Sequence, residues 1–142
     1  MLLHSPPIAA GMIELGNGVR RHALLPASLR ELVTCRVGQV NRAAYEVAVH
    51  REIALTLGES AARLDALSEW ESSFLFDPVE RASLRFAETL TSSVAADDAT
   101  FDELRRHLDD RQLVELTVTV AYYNMISRIL VALDIAAGPR GS

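Results

Sequence analysis

The chain has 142 residues, 49% of them hydrophobic, and its 14 basic and 19 acidic side chains leave a formal net charge of -5. A length of this order favours one domain, and an acidic chain with no basic block and 6% aromatic residues argues against nucleic acid as a partner. Every basic residue is arginine and Cys35 is the only cysteine, which excludes lysine Schiff bases, an intrachain disulfide, a cysteine metal cluster and a Cys-x-x-Cys redox pair.

In chain order, Ser5-Pro6-Pro7 opens a first helix running to about Leu15, with Ser5 as cap and proline in the first turn; Gly16-Asn17-Gly18 stops it. A short segment, residues 19–25, leads to Pro26. Ser28-Leu29-Arg30-Glu31 then reads as a capping box opening a helix with Leu29, Leu32, Val33, Val37 and Val40 on its apolar stripe, ending near Asn41. The next helix, residues 42–57, carries Tyr45, Val49, Ile53 and Leu57 at helical spacing, and Gly58 stops it. A weaker helix covers residues 60–70. Asp77-Pro78-Val79-Glu80 is a strong helix start, followed by Leu84, Phe86, Ala87 and Leu90 and a loop at residues 92–98. Thr100-Phe101-Asp102-Glu103 repeats the signature. Residues 111–133 hold no Gly or Pro and are apolar on several sides, as expected of a central helix surrounded by neighbours.

The fold class is therefore all-α: a single-domain bundle of about six to seven helices over residues 1–137, with 138–142 as a flexible tail. The chain carries more apolar material than so small an interior needs, which points to a self-association surface and a homo-oligomer. The N-terminus has no basic start before a long apolar run, and no stretch approaches the ~18 apolar residues of a membrane span. Export and membrane insertion are disfavoured, and a reducing cytoplasm fits a single cysteine.

Glu46 and His50 stand four residues apart, on one face of a helix. A carboxylate beside an imidazole orients the ring and raises its basicity, which prepares an acid or base near neutral pH. The same spacing also occurs in solvated surface pairs. Glu31, on the preceding helix, could fold back beside them, although local rules favour it as the fourth residue of the capping box. Cys35 lies one turn after Glu31 and reads as a small buried hydrophobe. Trp70 and Phe74 to Phe76 read as core or interface anchors, and His4, His22 and His107 as surface histidines. Tyr122, Tyr123, Asn124 and Arg128 interrupt the long apolar helix; such residues usually satisfy hydrogen bonds between helices, and Tyr123 and Asn124 are also site candidates. No metal is assigned, since a catalytic site takes three well-placed ligands and no further His or Glu is evident.

The segments Leu29-Arg30-Glu31-Leu32-Val33 and Gln39-Val40-Asn41-Arg42-Ala43-Ala44-Tyr45-Glu46-Val47-Ala48-Val49-His50 resemble the core motif of the alkyl hydroperoxidase D and carboxymuconolactone decarboxylase-like superfamily. Phe76-Asp77-Pro78-Val79-Glu80-Arg81-Ala82, Asp110-Arg111-Gln112-Leu113-Val114-Glu115-Leu116 and Tyr123-Asn124-Met125-Ile126-Ser127-Arg128 resemble its second half. In the peroxidase branch a glutamate on one helix is followed by Cys-x-x-Cys and then by histidine. The matching positions here are Glu31, Ala43, Glu46 and His50, so thiol-based peroxide reduction is excluded. The Tyr-Glu pair followed by His, as in Tyr45, Glu46 and His50, resembles the branch without these thiols. That resemblance implies that Glu46 and His50 line a pocket near a subunit boundary of a trimer or hexamer, faced by Glu31.

The resemblance implies a cofactor-independent acid-base enzyme, a decarboxylase or related lyase or isomerase acting on a small unsaturated lactone or keto carboxylic acid. In this reading His50 donates the proton, Glu46 orients its ring, Glu31 returns the proton or orients substrate, and Tyr45, Tyr123 and Asn124 bind substrate. No cofactor is needed, because the lactone carbonyl is the electron sink. Arg36, Arg42, Arg51 or Arg128 would neutralise a substrate carboxylate. The alternative is a non-catalytic small-ligand-binding or interaction protein that kept the scaffold after losing its thiols.

Overall fold

A computed structural model describes residues 2–135, and the expected tail at 138–142 lies outside them. The described chain folds into seven α-helices: α1 (Pro6–Asn17), α2 (Ala27–Val40), α3 (Ala44–Thr56), α4 (Ala61–Asp65), α5 (Pro78–Ser93), α6 (Asp98–Arg105) and α7 (Asp110–Ala132). No strand occurs among the described residues, and no helix is long and apolar enough to cross a membrane.

Local chemistry explains most of the helix starts. At α5 the Glu80 N–H donates to Asp77 Oδ1 and the Asp77 N–H donates to Glu80 Oε2, both at 2.8 Å, closing the capping box read from the sequence. Asp109 and Gln112 do the same at α7. At α6 the cap is Asp97, which accepts from the Thr100 N–H at 2.8 Å, so the helix begins ahead of Thr100 and the signature expected there is displaced. The expected box at Ser28 does not form: Pro26 precedes the first turn of α2 without a side-chain cap, and Glu31 turns inward. Gly16 does not stop α1, which runs through Asn17 into a π-helical turn at Gly18–His22. The expected helix over residues 60–70 divides into α4 and a 3-10 turn at Ala66–Glu69.

The surrounded helix is α2, not the one at residues 111–133. It packs against α3, α5 and α7, and every residue from 29 to 35 is buried. Its sequence hides this, because Arg30, Glu31 and Thr34 interrupt the apolar run and are buried with it. One side of α2 supplies Leu29, Val33 and Val37 to a core with Phe86 of α5, Leu104 of α6 and Leu116 of α7. The other supplies Leu32 and Cys35 to a core with Ala54, Trp70, Phe76 and Leu84. Trp70 is buried and its indole N–H donates to Glu88 Oε2 at 2.9 Å, whereas Phe74 is fully exposed. In α7 the apolar excess emerges at the surface, where Val114, Val118 and Met125 are exposed.

Candidate acid-base site

The expected apolar stripe of α3 is inverted. Val49 and Leu57 are exposed and Tyr45 and Ile53 half-buried, while the inward face is Glu46, His50 and Ala54 at helical spacing, only 2%, 8% and 0% exposed. The neighbouring helix explains the inversion. Gly38 of α2 permits a close crossing, since a Cβ there would sit 2.8 Å from Val47 Cγ2. On that crossing α2 presents Glu31, itself 1% exposed, to the imidazole of His50. A buried carboxylate needs a charged or hydrogen-bonding partner, so the polar face of α3 turns inward to supply one.

Glu31 Oε2 lies 2.6 Å from His50 Nδ1, and Glu31 Oε1 accepts from Arg30 Nε at 3.1 Å. A carboxylate acceptor places the ring proton on Nδ1 and leaves Nε2 for chemistry. Glu31 therefore orients the imidazole, the part that spacing alone gave to Glu46. Glu46 turns to α7 instead, where its Oε2 accepts from the Ser127 hydroxyl, and its Oε1 is buried without a hydrogen-bond partner. Burial pushes the Glu46 carboxyl up to about 7, with the Ser127 hydroxyl and the neighbouring His50 opposing. A carboxyl with a midpoint near neutrality can both give and take a proton under ordinary conditions.

The site also takes residues from α7. The Tyr123 ring meets His50 edge to face, with centroids 4.7 Å apart and planes at 81°. Burial and the charge of Glu31 push the Tyr123 phenol up to about 12, so it stays protonated. Asn124 is held away from these groups: Nδ2 donates to Thr91 Oγ1 at 2.8 Å, and Oδ1 accepts from Asn41 Nδ2 at 3.0 Å and from Arg128 Nη1 at 2.6 Å. Tyr45 lines a separate surface depression with Arg42, Leu130 and Asp134. The structure thus gathers Glu31, Glu46, His50 and Tyr123, and places Asn124 and Tyr45 outside that cluster.

Sequence reasoning missed Ser127, although it lies one helical turn beyond Tyr123 and thus on the same face of α7. Three of the four arginines expected to meet a substrate carboxylate are engaged elsewhere. Arg36 donates to Glu88 Oε2 at 2.9 Å, Arg51 pairs with Asp65 at 2.8 Å, and Arg128 binds Asn124. Arg42 shares the Tyr45 depression. Cys35 is buried in α2, where burial and the charge of Glu31 push its thiol up to about 12, so it remains an inert neutral thiol. Among the described residues no three His, Cys, Asp or Glu side chains gather in an arrangement that would hold a metal ion.

Comparison with known proteins agrees with this architecture. Residues 6–89, more than half of the chain, match the model of the carboxymuconolactone decarboxylase family. The uncharacterized protein YdfG of Bacillus subtilis is 32% identical over 113 residues, covering 78% of this chain and 77% of YdfG. A protein of unknown function from Agrobacterium tumefaciens, ATU0492, superposes with a TM-score of 0.91 at 26% identity, covering 98% of this chain and 96% of that one. The alkylhydroperoxidase AhpD core of an uncharacterized peroxidase-related protein from Ralstonia eutropha JMP134 shares the fold, with a TM-score of 0.86 at 18% identity over 96% of this chain and 74% of that one. The helical bundle, the helix pair carrying Glu31, Glu46 and His50, and these matches together show that the chain belongs to the carboxymuconolactone decarboxylase family.

Proposed function

We propose that the protein is a cofactor-independent acid-base enzyme of the decarboxylase type, acting on a small unsaturated lactone or keto carboxylic acid. The observation that carries the reading is Glu46: a buried carboxyl with a midpoint near 7, one oxygen unpartnered, one helical turn from an imidazole held by Glu31. Purely structural buried carboxylates are normally hydrogen-bonded through both oxygens.

In this mechanism the bond between the substrate carboxylate and its ring carbon breaks and carbon dioxide leaves. The electron pair passes into the conjugated carbonyl, giving a dienolate. The Glu46 carboxyl delivers its proton to the dienolate carbon, and the resulting carboxylate regains a proton from solvent by way of His50, whose imidazolium is stabilised by Glu31. Helical walls that bury all three groups exclude water and strengthen each electrostatic contact. Glu46 takes the donor role that the resemblance implied for His50, because its carboxyl is raised to about 7 and one of its oxygens has no partner.

The test is turnover of a panel of unsaturated lactone acids and keto acids. Glu46→Gln and His50→Ala should each lower the rate by ~10²-fold or more; wild-type rates in both variants would defeat the reading. We further propose a homo-oligomer, trimer or hexamer, supported by the exposed apolar Val114, Val118 and Met125 of α7, and a cytoplasmic location, supported by a lone buried thiol. Light scattering on the purified chain checks the subunit count.

A further inference from the structure

Buried charged side chains are uncommon, and α2 buries two in succession. Arg30 is 8% exposed and Glu31 1%. Adjacent residues on a helix do not face each other. Arg30 therefore reaches Glu31 Oε1, at 3.1 Å, only by bending its side chain away from solvent, and Glu31 is its one hydrogen-bonding partner among the described residues. Arg51, one residue beyond His50, makes its ion pair with Asp65 in contact with solvent instead.

The two oxygens of Glu31 are thereby divided. Oε1 accepts from the Arg30 guanidinium, and Oε2 lies 2.6 Å from His50 Nδ1. Guanidinium, carboxylate and imidazole form one buried chain of contacts, in which the charge of Arg30 opposes the proton that Glu31 draws to the ring. At such separations inside a protein a unit charge changes proton affinity by about ten-fold or more. The other groups around the pair do not supply that charge. Tyr123 of α7 meets the ring edge to face and stays protonated, Glu46 lies one turn back on α3 and is bonded to Ser127, and Cys35 of α2 is a neutral thiol. Arg51 is paired with Asp65, and Arg20 acts on the Tyr123 hydroxyl. Arg30 is thus the cation bonded to the Glu31–His50 pair.

We propose that Arg30 is a positioning residue of the acid-base site: held on Glu31 Oε1, it limits how tightly the Glu31–His50 pair keeps a proton, so that the imidazolium releases it to Glu46. An acid that holds its proton too strongly is a poor donor, so a relay through His50 needs such a counterweight. The relay rests on the acid-base reading, whereas the hold of Arg30 on the pair is measurable without turnover. Helical spacing points away from this contact, because it places residues 30 and 31 on different sides of α2.

The experiment is an NMR titration of the His50 ring in the full chain, with its signals assigned by their loss in His50→Ala. In Arg30→Gln and Arg30→Met the midpoint of the pair should rise by about one pH unit, because removing a cation tightens its hold on the proton whichever partner carries it. Arg30→Lys keeps the charge and should titrate close to wild type. Arg30→Gln also keeps a donor for Glu31 Oε1, so it serves if Arg30→Met fails to fold. Urea denaturation confirms folding but does not discriminate, since breaking any buried ion pair lowers stability. In kinetics, kcat should fall ~10-fold in Arg30→Gln with KM little changed, and Arg30→Lys should recover most of it. An unmoved or lowered midpoint in folded Arg30→Gln, or a lysine variant titrating like the methionine one, would each overturn the assignment. Turnover lost in Glu46→Gln but unchanged in Arg30→Gln would overturn it while sparing the acid-base reading. Absence of turnover throughout, with the His50 titration still set by Arg30, would overturn that reading and leave the hold of Arg30 on the pair standing.

Discussion

Glu31 and His50 are 19 residues apart in the chain, yet Glu31 Oε2 and His50 Nδ1 lie 2.6 Å apart in the interior. This contact joins α2 to α3 and fixes the imidazole, so Glu31 is expected to act through His50. Glu31→Gln should lower turnover by ~10-fold or more, because the neutral amide no longer stabilises an imidazolium. The double variant Glu31→Gln with His50→Ala should be no worse than His50→Ala alone. Additive losses in steady-state kinetics would show that the two carboxyl and imidazole groups act separately.

Glu46 makes the fold sensitive to pH in a defined direction. Its carboxyl is raised from 4.5 to about 7 by burial, so between those values the native state holds a proton that the unfolded chain has released. Stability therefore falls as pH rises through that window and levels off above about 7. Urea denaturation at a series of pH values should show this decline in the wild-type chain and a flatter profile in Glu46→Gln. Turnover that depends on a protonated Glu46 should fall above the same midpoint.

The close crossing of α2 and α3 depends on Gly38. A methyl group there would meet Val47 Cγ2 at 2.8 Å and the Val47 backbone nitrogen at 3.5 Å. Gly38→Ala should cost about 1–3 kcal/mol, the range for overpacking a filled interface, and should lengthen the contact between Glu31 and His50. Chemical denaturation gives the first quantity and a crystal structure of the variant the second. Unchanged stability would show that Val47 yields without moving α3.

Cys35 offers a contrast with reactive thiols. With its midpoint pushed up to about 12 and its side chain 2% exposed, it should react with iodoacetamide only on unfolding. Labelling at pH 8 in the native state should be slower by orders of magnitude than in denaturant. Cys35→Ala should retain turnover, and the wild-type chain should show no thiol-dependent reduction of hydroperoxides.

Composition, spacing and capping chemistry determined a good part of this protein in advance. The all-α class, the starts of α5 and α7 and the identities of Glu31, Glu46 and His50 as chemical groups were legible, because capping boxes and i to i+4 spacing are local properties of the chain. What only the tertiary structure decided is which way those groups face. The stripe of Tyr45, Val49, Ile53 and Leu57 predicted the opposite face of α3 for the interior, and Ser28 predicted a cap for Glu31. Both local preferences lost to a long-range requirement: a buried carboxylate on the fully surrounded α2 must find a partner, and the imidazole of α3 is that partner. The role of Ser127 was hidden for the same reason, since its partner is set by how α7 packs on α3 and not by anything nearby in the chain.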